Sequence, residues 1–186
     1  GHEGFDIEWW ATRTTRDELP VPLNIRCVAI DQIDTCRSAH RHKNITYQYN
    51  NFENLVGTKK DNEIKNGYDV LWCHDSFQYA QSPMKTLSNW WHLASPGAML
   101  CITIPVTQRI HRNQIDYHLP TGCYYHYTMV NLMYMLATAG WDCRSGFFKQ
   151  VPMDPWMHAV VYKSAHEPLD PKTTSWHKLV ELKLLP

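Results

Sequence analysis

Apolar residues recur along this chain in two styles, as short β-branched runs and as longer stretches spaced for one face of a helix. Arg26 to Ile30 (Arg-Cys-Val-Ala-Ile) follows Pro20 and Pro22 and stops at Asp31, which predicts a strand covered on both faces. Ile45 to Tyr49 predicts a second strand, ended by the turn formers Asn50 and Asn51. The polar stretch between them, Ile33 to His42, has room for a short helix. Asp69 to Cys73, reached through Asn66-Gly67, reads as a third strand. Met99 to Ile104, reached through Ser95-Pro96-Gly97, reads as a fourth. Pro83 opens a stretch in which Met84, Leu87, Trp90, Trp91 and Ala94 recur at helical steps, an amphipathic helix between two strands. A second such helix is predicted from Tyr125 to Ala139, with Met129, Leu132, Met133 and Leu136 on one face and Gly140 as its cap. Cys143 to Lys149 and Trp156 to Tyr162 close the pattern. Their link, Val151 to Pro155, is too short for a crossover, so this pair is expected to be antiparallel.

Strands alternating with helices predict βαβ units. The expected architecture is α/β, with three layers, a mostly parallel sheet and an antiparallel C-terminal hairpin. It covers residues 1–164 as one domain. Residues 165–186 are polar with three prolines and then Leu-containing, a tail expected to pack on the domain or on a partner.

Composition narrows the function. At 186 residues with 44% hydrophobic and 19% charged side chains, the chain can bury a full-sized core. Eighteen basic against eighteen acidic side chains leave no net charge with His neutral, which argues against a nucleic-acid coat or an anionic-lipid binder. No apolar run is long enough to span a membrane, and the start, Gly-His-Glu-Gly-Phe, lacks the features of a signal peptide, so a soluble chain is expected. Six cysteines without a CxxC pair fit thiols in a reducing compartment, the cytoplasm, better than a disulfide framework. Eleven histidines include no HExxH, and no metal is expected. Eight Trp and ten Tyr are core and interface material, with one or two available to stack on a ligand.

In an open parallel sheet, ligands sit beyond the carboxyl ends of the strands. Asp31 is placed there to accept hydrogen bonds from a ribose diol. Asn51 and Phe52 can flank a base, and His74 and Asp75 follow the third strand. Each also has a plainer use as a turn or cap residue; the series carries the argument.

The run Gly-Tyr-Asp-Val-Leu-Trp-Cys-His-Asp-Ser-Phe-Gln-Tyr-Ala from Gly67, the helix after it, and Ser-Pro-Gly-Ala-Met-Leu-Cys-Ile-Thr-Ile-Pro resemble the central part of class I S-adenosylmethionine-dependent methyltransferases. The resemblance continues through Gly140-Trp141 into the closing hairpin and covers roughly residues 26 to 163; Ala98 stands where the family commonly has a second Gly. It implies S-adenosylmethionine as cofactor, with Asp31 on the ribose (Asp34 as a weaker choice) and Asn51 and Phe52 on the adenine. Cys73, His74 and Asp75 are implied to line the methionine moiety and the methyl-transfer site, with His74 and Asp75 catalytic. Of the family's glycine-rich first loop only Gly1-His-Glu3-Gly4-Phe5 resembles a part, followed by a helix from about Asp6 to Thr15; the strand expected before it is absent from the sequence. Either the chain is a fragment, the expectation adopted, or the cofactor site is degraded; a Gly-His start also fits the remnant of a cleaved tag.

Methyl transfer from a sulfonium is an in-line displacement, so the protein supplies alignment and, for acidic nucleophiles, a base. His74 is the first candidate, with His111, His118 and His126 as others that read equally as surface residues. Asp75-Ser-Phe does not match the Asn/Asp-Pro-Pro-Tyr signature of amino-methylating DNA enzymes, which weakens a nucleic-acid acceptor. The expected substrate is a small molecule or an exposed group of a macromolecule. Two other readings stay open: a methyltransferase-like domain without catalysis that assembles with a partner or oligomerises through its aromatic surface and tail, and another nucleotide-binding α/β domain.

Overall fold

The computed structural model describes residues 27–31, 45–55, 67–105, 125, 127–150 and 156–186, and the chain divides into two units, Gly1–Asn54 and Leu55–Pro186. In the first unit, β1 (Cys27–Asp31) and β2 (Ile45–Tyr49) pair in parallel, from Cys27 against Ile45 to Asp31 against Tyr49. The carboxyl ends of the two strands therefore lie side by side. A single 3-10 turn, Phe52–Asn54, follows β2. The expected helices at Asp6–Thr15 and Ile33–His42 lie outside the described residues.

The second unit is built on a four-stranded sheet of β3 (Tyr68–His74), β4 (Ala94–Pro105), β5 (Trp141–Gln150) and β6 (Trp156–Lys163), in the order β3-β4-β6-β5. Helix α1 (Pro83–Leu93) connects β3 to β4, α2 (Met129–Thr138) leads into β5, and α3 (Trp176–Glu181) lies in the tail. The expected antiparallel C-terminal pair is present, and the four-stranded sheet that holds it is mixed. Only β3 and β4 pair in parallel, whereas β6 runs antiparallel to both β4 and β5. A strand returning through a tight link reverses direction, and β6 inserts between β4 and β5, so it imposes two antiparallel ladders.

Strand alternation sorts the core. Leu100, Ile102 and Ile104 of β4 stand beside Val161, Ala159 and Met157 of β6, all at most 1% exposed. Helices α1 and α2 pack on the sheet and on each other, contributing the buried Leu87, Trp90, Leu132 and Leu136. The opposite face keeps Val70, Trp72 and Tyr162 between 41% and 48% exposed, so among the described residues the helical layer lies on one face. Two indole N–H groups in the core find backbone acceptors: Trp91 Nε1 donates to Gly140 O at 3.0 Å and Trp141 Nε1 to Leu87 O at 3.3 Å.

Element boundaries differ from expectation for local reasons. β4 starts directly at the end of α1, and Ser95-Pro96-Gly97, expected to be a turn, is absorbed as a bulge between the pairings of Tyr68 with Ala94 and of Val70 with Met99. Gly97 allows this with φ +74°, and Ser95 Oγ donates to Asp69 Oδ1 at 2.7 Å. α2 starts at Met129 rather than Tyr125, because Thr128 caps it by accepting the Asn131 N–H at 3.2 Å. Gly140, expected as its cap, has φ +86°, and a Cβ there would meet His166 O at 2.6 Å. The tail lies along the second unit: Leu169 N–H donates to Thr138 O, Tyr134 Oη to Thr174 O, and Cys143 N–H to Leu184 O, while Leu179, Leu184 and Leu185 are at most 1% exposed.

Candidate functional site

In the first unit, Asp31 is the last residue of β1 and Asn51 and Phe52 follow β2, so all three stand at the carboxyl edge of the parallel pair. Asn51 also has a local task. Its Oδ1 accepts the Glu53 N–H at 2.9 Å, fixing the start of the 3-10 turn, while Asn50 Oδ1 accepts the Asn51 N–H at 2.8 Å. The plain turn reading of this pair is therefore correct as far as it goes, and the Phe52 that follows is half-buried. Gly1, Glu3, Gly4, Asp34, His111, His118 and His126 lie outside the described residues.

In the second unit, Cys73 and His74 close β3 and Asp75 follows. Neighbouring strand residues point to opposite faces, which separates the first two. Cys73 stands beside Ile102, on the face that carries the core. Desolvation there pushes its thiol up to about 12, which keeps it protonated at neutral pH. Any contact of Cys73 with a ligand on the His74 side would run through its backbone.

His74 stands on the other face in a row with Thr103 of β4 and His158 of β6. Thr103 Oγ1 and His158 Nδ1 are 3.2 Å apart, and the His74 ring meets the edge of Trp156 at 5.4 Å between centroids. The N-terminal end of antiparallel β6 thus supplies Trp156 and His158 to the carboxyl end of β3 and β4. Sequence reasoning missed both, and only the register of β6 reveals them. Asp75 continues the pairing, its N–H donating to Thr103 O at 2.9 Å, and then turns sharply with φ +49°. That is left-handed backbone, which Asp adopts in turns more readily than most residues other than Gly. Ser76 Oγ donates to His74 O at 2.9 Å, and Gln78 Nε2 to Asp75 Oδ1 at 2.7 Å. Gln78 was also missed, although its place three residues after an acidic turn residue was a readable signal. Behind this turn Phe77 is fully buried, stacked on Tyr127 at 5.3 Å and tilted against Trp90 at 5.8 Å, so the loop bearing Asp75 is anchored in the core.

Elsewhere, a cavity of about 210 Å³ lies between α1 and the segment after β6, lined by Met84, Ser88 and Leu169 among others. It falls below the roughly 300–1,000 Å³ of ligand pockets. No group of three or more His, Cys, Asp or Glu among the described residues could hold a metal ion, and none of their helices is long and apolar enough to cross a membrane.

No protein-family model matches the chain, and no curated protein matches it. Solved structures do. The complex between the Trm112 methyltransferase activator of Haloferax volcanii and a methyltransferase matches with a TM-score of 0.63 at 14% identity, over 86% of this chain and 79% of that one. A SAM-dependent methyltransferase of Thermotoga maritima matches with a TM-score of 0.55 at 12% identity, over 74% and 72%. The N-methyltransferase NodS of Bradyrhizobium japonicum, in complex with S-adenosylhomocysteine, matches with a TM-score of 0.52 at 11% identity, over 74% and 66%. At such identities the likeness speaks for the fold: the chain has the class I methyltransferase fold, and its four-stranded sheet is of mixed α/β character.

Proposed function

We propose that the chain is an S-adenosylmethionine-dependent methyltransferase acting on a small molecule or an exposed group of a larger one. The observation that carries this reading is the fold's likeness to S-adenosylmethionine-dependent enzymes together with, in each unit taken by itself, polar and aromatic side chains at the carboxyl end of a parallel strand pair. An acid closes β1, an amide and an aromatic ring follow β2, and an imidazole and an acid follow β3. These chemistries fit a ribose diol, an adenine and a cationic amino-acid moiety in turn.

When bound, the cofactor supplies an electrophilic methyl group on a sulfonium. Asp31 accepts hydrogen bonds from the ribose hydroxyls, and Asn51 and Phe52 hold the base by amide and ring. His74, aligned by the Trp156 edge, takes the proton of the acceptor nucleophile, and Asp75 orients what lies next to it. Gly1, Glu3 and Gly4 complete the cofactor contacts in this reading. Free thiols at Cys27, Cys73, Cys101 and Cys143 support a reducing compartment, the cytoplasm.

Calorimetry with S-adenosylhomocysteine tests the reading. Micromolar binding is expected, weakened by about 1–3 kcal/mol in Asp31→Ala. No heat and no thermal shift would remove the enzyme reading; unchanged affinity in the variant would remove Asp31 from the ribose.

A second reading, a non-catalytic assembly module, is favoured by the sheet face that exposes Val70, Trp72 and Tyr162, together with Phe147 of the paired β5. The likeness to a structure containing an activator protein supports it too. Light scattering that finds a monomer, alongside cofactor binding, would set this alternative aside.

A further inference from the structure

The strand register of the second unit arranges the sheet face away from α1 and α2 in rows. Trp72, Cys101, Val160 and Phe147 lie side by side across β3, β4, β6 and β5. Trp72 is 48% exposed and Phe147 57%, so an apolar row crosses the whole sheet with a large aromatic ring at each edge. Toward the start of β3 the next row is Val70, Met99, Tyr162 and Asp142; toward its end it is His74, Thr103, His158 and Lys149. Edge strand β5 therefore carries an acid and a base on one face, with Phe147 between them. Asp142 Oδ1 accepts the Ser145 N–H at 3.0 Å, and neither Asp142 nor Lys149 has an ion-pair partner among the described residues. Two rows of a strand span about 13 Å, too far for the two charges to meet within one chain.

We infer that this face is an interface between two copies of the chain, related by a twofold axis that lies between the sheets along the Trp72–Phe147 row. A twofold contact sets one patch against itself. With the axis along this row, β5 meets β5 of the second copy in the reverse direction. Phe147 then packs on Phe147 and Trp72 on Trp72, while Lys149 of each chain faces Asp142 of the other. An axis along the strands would instead set β5 over β3 and Lys149 against His74, leaving both β5 charges unmatched. Charge selects the first arrangement and gives it two symmetric ion pairs around an apolar centre. Four strands about 4.8 Å apart and three rows about 7 Å apart give the face a flat extent of roughly 400 Å². That is the scale of a small interface, so the dimer is concentration-dependent rather than permanent. The inference rests on the assembly reading, which it deepens by naming the partner.

Analytical ultracentrifugation of the full chain over a range of concentrations tests it, with circular dichroism and melting curves as the check that each variant folds. The wild type should approach twice the chain mass as concentration rises. Phe147→Asp, which puts two like charges on the axis, and Lys149→Asp, which sets acid against acid, should each weaken association by about tenfold or more. Asp142→Lys should weaken it equally by setting base against base. An equimolar mixture of Lys149→Asp and Asp142→Lys should regain the dimer, because only the mixed pair restores an acid opposite a base at both sites. Regain in the mixture supports the inference. A dimer that ignores Phe147→Asp, or two folded charge variants that stay monomeric when mixed, overturns it. If Asp142→Lys does not fold, Lys149→Asp decides in its place: weakened association that worsens no further at high salt supports the pairing, and unchanged association overturns it. A wild type that stays monomeric up to its solubility limit also overturns it and leaves the face to a different protein. Calorimetry with S-adenosylhomocysteine separates the two failures: a monomer that binds it removes the assembly reading as well, and a monomer that does not leaves that reading standing.

Discussion

Lys163 carries a charge into the edge of the core, its Nζ 4.0 Å above the Trp91 ring and donating to Ala94 O at 2.7 Å, where α1 ends. The ring and the helix's negative end both favour the cation, but burial lowers its pKa from the ordinary 10.5. The folded state therefore gives up this proton before the unfolded state does. The cost of burying the charge is in force at neutral pH and is relieved as pH rises toward 10.5, so stability gains from this group in that window. Lys163→Met should remove that gain, and because Ala94 O loses its donor, it should also cost about 1–3 kcal/mol at neutral pH, measurable by urea unfolding at several pH values. Single residues were the least legible part of the sequence. Asp75 could be placed from its position after an apolar run, but its left-handed backbone could not. His158 meets Thr103 across 55 positions of chain, a contact no local pattern encodes.

Helices and strands were far more legible, because apolar spacing dictates which face can be buried. Pro83 and the spacing of Leu87, Trp90 and Trp91 fix α1, and Trp90 at 4% exposure sits where that periodicity places it. Trp90→Ala should therefore cost about 3–5 kcal/mol in denaturant unfolding. The ends of elements were less readable. Tyr125 and Tyr127 read as helical, yet the ring of Tyr127 is stacked against Phe77 and Thr128 caps the helix behind it. Thr128→Ala should cost about 0.5–2 kcal/mol, a loss that tests the observed start of α2 against the earlier one. Ser95-Pro96-Gly97 misled for a related reason: turn-forming residues also make bulges, and the Ser95 bond to Asp69 decides between them only in three dimensions.

Across the whole molecule, the α/β class was readable and the mixed pairing of the four-stranded sheet was not. The antiparallel relation of β5 and β6 followed from their short link, but nothing local says that β6 lies next to β4. The tail was read as a packing element of undecided target. In the structure Leu179, Leu184 and Leu185 are buried and Ser175 caps α3 by accepting the Lys178 N–H at 3.1 Å. Each buried leucine contributes about 1.5–3 kcal/mol, so removing residues 175–186 should lower the melting temperature sharply rather than leave it unchanged. Differential scanning calorimetry separates the two outcomes.

The strand order β3-β4-β6-β5 also sets a timetable for synthesis. β5 leaves the ribosome before β6 but occupies the outer place, and the slot beside β4 belongs to the strand made last. A nascent chain ending between Gln150 and Trp156 therefore carries β4 with the side that β6 takes unpaired and β5 resting on α2 without its partner strand. Such a chain exposes a bare ladder of amides and carbonyls to its neighbours on the same polysome, so translation arrested in that interval should yield aggregates, and release past it should yield folded protein.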